Sequence, residues 1–392
     1  MTGNGARPSP RLRVGINLLW LVPGDVGGSE DYAIALLREL ANSNEVDLVV
    51  FCQPSLRRAY PELDAVASVV LSPGSGRARS LRLLWENTWL PYKVRRMVPD
   101  VVHHLGGTIP LVDAGRPILT VYDLQPLFHP ERFGWAKRTW LGRVVPRSAR
   151  RAEVVSTLSH HVRRQLVRHV DGGSNSVVVA PPGGTSAFSD PRVAEATRRR
   201  YRLDGSLLLY PAVSYPHKNH EVLVRALPRV LERHPDATLV CTGRPGPGDR
   251  HIDRLAQSLG IDHAVRRLGR IPRCDLEALY DAAEALVFPS SYEGFGLPLL
   301  DAMTHQCPIL AADASAIPET VGDHGLLIDP DDPRAWADAI VEVLSHPGRG
   351  AALAASSAQG AKRYDWNETI RAILAAYHRL AVTSGRNGSP LG

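Results

Sequence analysis

The chain has 392 residues, 44% apolar and 22% charged, which excludes a largely disordered chain and suggests two domains at roughly 100–200 residues each. Its net charge of +6 is uneven: residues 1–200 hold 27 Lys and Arg against 17 Asp and Glu, and residues 201–392 hold 19 against 23. No apolar run approaches the ~18 residues that cross a bilayer, and Cys52, Cys241, Cys274 and Cys307 form no CxxC pair, which argues against a disulfide framework or zinc site. Reduced, buried thiols and a cytoplasmic setting are the expectation. Residues 1–10 are polar and rich in Gly and Pro, so they read as a flexible tail rather than a signal peptide, and 384–392 read as a second tail.

In chain order, residues 13–18 form a strand, 24–28 a loop, and 29–40 a helix with Ala33, Leu36, Leu37 and Leu40 at helical spacing. Further strands are expected over 46–51, 101–104, 117–121 and 154–157. The alternation restarts after residue 200. Strands are read at 207–210, 237–241, 265–268, 285–288, 308–311 and 325–328. Helices are read at 221–233, 251–259, 275–283, 299–305 and 333–345. This predicts an α/β chain of two doubly wound, Rossmann-like lobes facing a central cleft. The first lobe spans 11–195 and the second 200–362, joined through a basic, loop-like stretch at 181–203. A last helix, within 363–382, is expected to pack back on the first lobe. Ligands of such sheets bind at the carboxyl ends of the strands, so one ligand per lobe and a transfer reaction are expected.

Three strand-to-helix turns carry the chemistry. In the first, Phe288-Pro-Ser-Ser-Tyr-Glu293-Gly294-Phe295-Gly296-Leu297-Pro298-Leu-Leu-Asp301, two glycines let a ligand approach the backbone, and free N–H groups at the helix start suit an anion. Its two carboxylates, Glu293 and Asp301, suit the hydroxyls of a sugar or ribose. In the second, Tyr210 to His220, Lys218 is placed for a diphosphate and His217 and Asn219 add donors. In the third, Gly27-Gly28 precedes the first helix and can touch phosphate oxygens, although no GxGxxG or P-loop is present. Each of these also reads as an ordinary turn with solvated side chains when taken alone.

Together they resemble the group 1, or family 4, retaining glycosyltransferases of the GT-B fold, over nearly the whole chain. Glu293-Gly-Phe-Gly-Leu-Pro-Leu-Leu-Asp301 matches the family's E-x7-E element. Tyr-Pro-His-Lys218-Asn-His, Leu268-Gly269-Arg270-Ile271, Ala278 to Ala283, Ile317 to Gly322, and Val121 to Phe133 support it. The resemblance implies transfer of a sugar such as mannose or rhamnose from a nucleotide-diphosphate sugar to a glycan or lipid-linked glycan, with retention, in cell-envelope or polysaccharide synthesis. It implies that Lys218 contacts the diphosphate and that Glu293 holds sugar hydroxyls, helped by amides around Gly294, Phe295, Gly296 and Leu297. Asp301 would bind ribose, Gly269 and Arg270 would border the base, and Gly27 and Gly28 would approach the diphosphate. The acceptor would lie near His103, His104, Tyr122 and Asp123. No cofactor or metal is expected, because Lys218 and helix dipoles can offset the leaving-group charge, and Asp329-Pro330-Asp331 reads as a turn.

The sequence departs from the family at three points. Asp301 stands where Glu is usual, Ala212-Val-Ser214 where an Arg is common, and Tyr122 where the T-x-H-D loop has His. Tyrosine is a poor base near neutral pH. These departures keep open a catalytically silent, donor-binding scaffold; an epimerase of the same fold would need paired acid/base carboxylates that are not found. The Arg-rich first half, with Leu81-Arg-Leu-Leu-Trp85 among its charges, reads either as a solvated face or as a peripheral contact with anionic membrane. No nucleic-acid motif accompanies the charge.

Overall fold

A computed structural model describes residues 11–74, 78–112, 115–132, 134–170, 176–184 and 190–382. The two tails expected from the sequence, and Phe133 of the Val121–Phe133 motif, lie outside the described residues. The chain divides into two units: Met1–Leu158, Val162–Pro182 and Trp366–Gly392 form one, and Ser159–His161 with Gly183–Asp365 the other.

The first unit holds a parallel sheet of seven strands: β1 (Leu12–Asn17), β2 (Val46–Cys52), β3 (Ser68–Leu71), β4 (Val101–His104), β5 (Pro117–Val121), β6 (Val154–Thr157) and β7 (Ser176–Val179). Their spatial order is β3-β2-β1-β4-β5-β6-β7. The order reverses between β1 and β4, so the loops after these two strands diverge there and leave a crevice. β5 is buried at every position, as a central strand covered on both faces must be. The outer strands β3 and β7, which the sequence analysis does not place, are only partly buried.

The second unit repeats the plan with β8 (Leu207–Pro211), β9 (Thr238–Thr242), β10 (Val265–Gly269), β11 (Ala285–Phe288), β12 (Ile309–Ala312) and β13 (Leu326–Ile328). The order is β10-β9-β8-β11-β12-β13, with the switch between β8 and β11. Its core is one continuous cluster running from Leu203 to Leu353.

Two sequence expectations are corrected. The stretch 181–203 is not a plain basic loop: Pro191–Tyr201 is a helix. Asp190 caps it by accepting from the Arg192 N–H, and Pro191 fits the first turn, where its missing N–H costs nothing. This helix belongs to the second unit, so the crossing point is at Pro182–Gly183 rather than 195–200. The cysteines are free, but Cys274 is exposed while the other three are buried.

The closing helix, Trp366–Val382, belongs to the first unit. Thr369 donates to the Pro181 carbonyl, and Tyr377, fully buried, meets the His103 ring on β4 at 2.8 Å. Among the described residues, no helix is long and apolar enough to cross a membrane.

Candidate active site

The loops after β8 and β11 meet at the second unit's switch point. The backbone N–H and hydroxyl of Ser291 and the hydroxyl of Ser290 all donate to the His217 carbonyl, at 2.8, 3.2 and 3.3 Å. This lacing brings Lys218 and Glu293 together: Lys218 Nζ donates to Glu293 Oε1 at 2.5 Å. The lysine and glutamate side chains keep only 19% and 13% of their exposure. The pair therefore holds two opposite charges in a partly desolvated place, where Coulomb interactions are stronger than in water. The Tyr210 hydroxyl, buried beneath, donates to the Lys218 carbonyl. Burial, and then the Glu293 charge, push its pKa well above the ordinary range, so it stays a neutral donor.

The 293–297 backbone is stapled from three sides. Ser315 accepts from the Glu293 N–H at 2.8 Å, Ser159 donates to the Gly294 carbonyl at 2.7 Å, and Thr320 donates to the Phe295 carbonyl at 2.6 Å. The Phe295 ring is buried and packs edge-on against Tyr364, which leaves its main chain, not its side chain, for a ligand. Gly296 has φ of 92°, and an added Cβ would meet Leu299 at 2.8 Å. Its glycine identity is thus required twice over. Helix Leu297–Thr304 starts there, with Pro298 in its first turn and the Leu299 N–H donating to the Gly296 carbonyl at 2.9 Å.

Asp301 lies on that helix, and Arg273 binds it at two points, 3.0 and 2.7 Å. Arg273 also donates to Glu277 at 2.7 Å. Burial disfavours the Arg273 charge, but the Asp301 and Glu277 bonds outweigh it and raise its pKa. Each Asp301 oxygen accepts one N–H and retains a lone pair for a hydroxyl.

Asn219 adopts φ of 52° as the cap of helix His220–Leu231 and donates to the Pro330 carbonyl at 2.6 Å. It therefore shapes the turn rather than offering its amide nitrogen outward. Asp329-Pro330-Asp331 is that neighbouring turn, with Asp329 accepting from the Asp331 N–H. Among the described residues, no three His, Cys, Asp or Glu side chains are grouped to hold a metal ion.

A cavity of about 190 Å³ opens at the carboxyl ends of β8, β9 and β10, between Ser214, His220, Gly243, Arg244, Arg267 and Gly269. No single motif revealed it, because its walls come from three separate loops. In its wall Gly269, with φ of 68°, accepts from the Gly243 N–H at 2.9 Å, and Arg270, next in sequence, is exposed. Burial lowers the His220 pKa to about 4, so the ring is neutral at pH 7.

In the first unit, the loop after β1 ends at Gly27, with φ of 65°, followed by Gly28 at the start of helix Gly28–Asn42. Glu30, buried, fixes this loop by accepting from the Gly24 N–H at 2.7 Å and from the Tyr60 hydroxyl at 2.8 Å. Tyr122 leans on Trp20 and Tyr32, and its hydroxyl donates to the Ser29 carbonyl at 3.4 Å. Burial raises its pKa well above the ordinary value, so it cannot act as a base. Asp123 accepts from the Gln125 N–H at 2.9 Å and so caps its own loop.

The acceptor-side expectation for His103 and His104 is overturned. Both rings are fully buried on β4. His103 bridges Tyr377 and the Thr120 hydroxyl, each at 2.8 Å, and His104 pairs with the Asn17 amide at 3.2 Å. Burial pushes both pKa values down to about 3. They join strands and the closing helix and offer nothing to an acceptor.

Two family models match, one in each unit: glycosyltransferase family 4 over residues 26–184, and glycosyl transferases group 1 over 206–346. The D-inositol 3-phosphate glycosyltransferase of Corynebacterium diphtheriae is 27% identical, over 92% of this chain and 91% of that protein. The O-antigen chain mannosyltransferase B of Escherichia coli is 26% identical, over 89% of this chain and 95% of that protein. Among solved structures, Anabaena HepE in complex with UDP-glucose superposes with a TM-score of 0.74 at 16% identity, over 94% of this chain and all of that one. WaaG, a glycosyltransferase involved in lipopolysaccharide biosynthesis, gives 0.72 at 17%, over 96% of this chain and all of that one. With both sheets doubly wound and both halves matched, the chain belongs to the group 1, family 4 glycosyltransferases of the GT-B fold.

Proposed function

We propose that this glycosyltransferase takes its sugar from a nucleotide-diphosphate donor held in the second unit, and passes it to a glycan or lipid-linked glycan with retention of configuration. The observation that carries this is the Lys218–Glu293 pair at the β8/β11 switch point. The UDP-glucose in the Anabaena relative and the sugar-transfer names of the curated relatives support it.

In this reading the diphosphate shares Lys218 and the helix N-terminus, which stabilise the charge that develops as the glycosidic bond breaks. Glu293 accepts from the sugar hydroxyls, Asp301 accepts from ribose, and the cavity beside Gly269 takes the base. With Tyr122 locked as a neutral donor, the acceptor proton leaves on the departing phosphate. Transfer then needs no protein base and no metal.

The test is release of nucleoside diphosphate from a panel of UDP-, GDP- and dTDP-sugars, with and without acceptor glycans. Wild-type protein should release it with one donor class, with EDTA leaving the rate unchanged. Lys218→Ala and Glu293→Ala should each lower the rate by about 10²–10³. Full activity in both variants would refute the site. Binding of a donor with no release under any condition would favour the silent scaffold.

A further inference from the structure

We propose that Arg244, in the loop after β9, binds the diphosphate of the nucleotide donor and stands in for the arginine that the family commonly carries ahead of its phosphate-binding lysine. This rests on the donor reading above. The stretch ahead of Lys218 is Ala212-Val-Ser214 here and holds no cation. Ser214 is buried, and its hydroxyl donates to Asp249, so that position does not suit an arginine.

The loop after β9 lies directly against this stretch. The Gly248 N–H donates to the Ser214 carbonyl at 2.9 Å. A Cβ at Gly246 would lie 2.8 Å from the Ser214 nitrogen, and one at Gly248 2.6 Å from the Ser214 carbonyl oxygen. The two glycines thus admit the loop to the backbone beside which the arginine is missing. The loop brings its own arginine, for Arg244 lines the cavity together with Ala212, Ser214 and Gly269.

The charges around the cavity decide which cation is available. Arg267, the other arginine in its wall, is held by Asp249 and Asp253 at 3.0 and 2.6 Å. His220 is neutral at pH 7. Asp249 is itself committed to Ser214, the Gly246 N–H and Arg267. Among the described residues, no carboxylate pairs with Arg244. Its Nη2 donates instead to the Tyr215 hydroxyl at 2.6 Å. The Tyr215 ring stacks on His217, with 5.9 Å between centres and 9° between planes, next to Lys218 in the chain.

A neutral hydroxyl orients the guanidinium without neutralising it, and leaves four of its five N–H groups for a ligand. The charge is partly exposed and is tethered between the cavity and the Lys218 turn. That is the place for phosphates that join a base in the cavity to a sugar at Glu293, and a planar fork suits their oxygens at two points. A base carbonyl there would use a donor or two and leave the charge unmatched.

The experiment is titration calorimetry with UDP, GDP and dTDP, with uridine, guanosine and thymidine as competitors, on wild-type protein, Arg244→Ala, Arg244→Lys and Lys218→Ala. The diphosphate that binds wild-type protein should bind Arg244→Ala about tenfold more weakly, as for a lost charge-assisted bond. Arg244→Lys should fall between, because lysine keeps the charge but not the fork. The matching nucleoside should compete equally well in wild type and Arg244→Ala, and melting of the unliganded proteins should be the same. Unchanged diphosphate affinity in Arg244→Ala, with Lys218→Ala weakened, overturns the role of Arg244 and leaves the donor reading standing. An equal loss for nucleoside and diphosphate also overturns it, and marks a contact to the base. No binding of any diphosphate to wild-type protein removes the donor reading and this role with it.

Discussion

Arg273 shows how one residue changes the meaning of another. Aspartate at position 301 is one methylene shorter than the family's usual glutamate, and the two-point bond from Arg273 fixes its carboxylate. A carboxylate held this way keeps its orientation, and the guanidinium offsets its charge. Arg273→Ala should therefore raise the KM for the donor by about tenfold, in line with a lost charge-assisted bond, while kcat changes little. Steady-state kinetics across donor concentrations would check this, and Arg273→Lys should recover only part of the loss, because a lysine cannot bind bidentately. Tyr122 teaches the same lesson in reverse. The sequence could say that histidine was missing from its loop. Only the structure shows the phenol locked between Trp20 and Tyr32 and turned to the Ser29 carbonyl.

Among the elements, the turn from β11 into helix Leu297–Thr304 is the most tightly specified. Its carbonyls are held by Ser159 and Thr320, and its chain reverses at Gly296. Gly296→Ala would combine a left-handed backbone with a contact to Leu299, at a cost of about 1–3 kcal/mol. Thermal melting should show a loss of several degrees, and, if the proposed donor site is right, donor turnover should fall more than stability. The closing helix makes a different demand. His103 and His104 are neutral in the fold, with pKa values near 3 against about 6.5 in an unfolded chain. The unfolded state binds more protons between these values, so the contribution of the two rings to stability is whole above about pH 6.5 and is lost as pH falls toward 3. The limiting slope is about 1.4 kcal/mol per pH unit for each ring. Denaturant melts from pH 7 to pH 4 should show falling stability, and His103→Gln should lower stability at pH 7 but flatten its fall with acid. An unchanged slope in the variant would contradict the buried, neutral assignment.

For the whole molecule, the charge asymmetry and the strand–helix alternation were legible from the start. Buried parallel strands read as short apolar runs, and β5, β6 and β11 begin and end where those runs do. Glycine and proline marked the ligand-side turns, because a positive φ and a first-turn proline are local demands. What the sequence did not disclose depended on distance or on context. Lys218 and Glu293 are 75 positions apart, and nothing local says that they touch. The His103–His104 pair looks like a site until the sheet around it is known. The arginines of Pro191–Tyr201 masked a capped helix.

The central claim is that the second unit holds a nucleoside diphosphate on Lys218. Titration calorimetry with UDP, GDP and dTDP, on wild-type protein and on Lys218→Ala, tests it most directly. One of the three should bind wild-type protein with one site per chain, more tightly than its monophosphate, and Lys218→Ala should weaken it by roughly tenfold or more, as expected for a lost charge-assisted contact. Binding that Lys218→Ala leaves unchanged, or no binding of any of the three, would contradict the account.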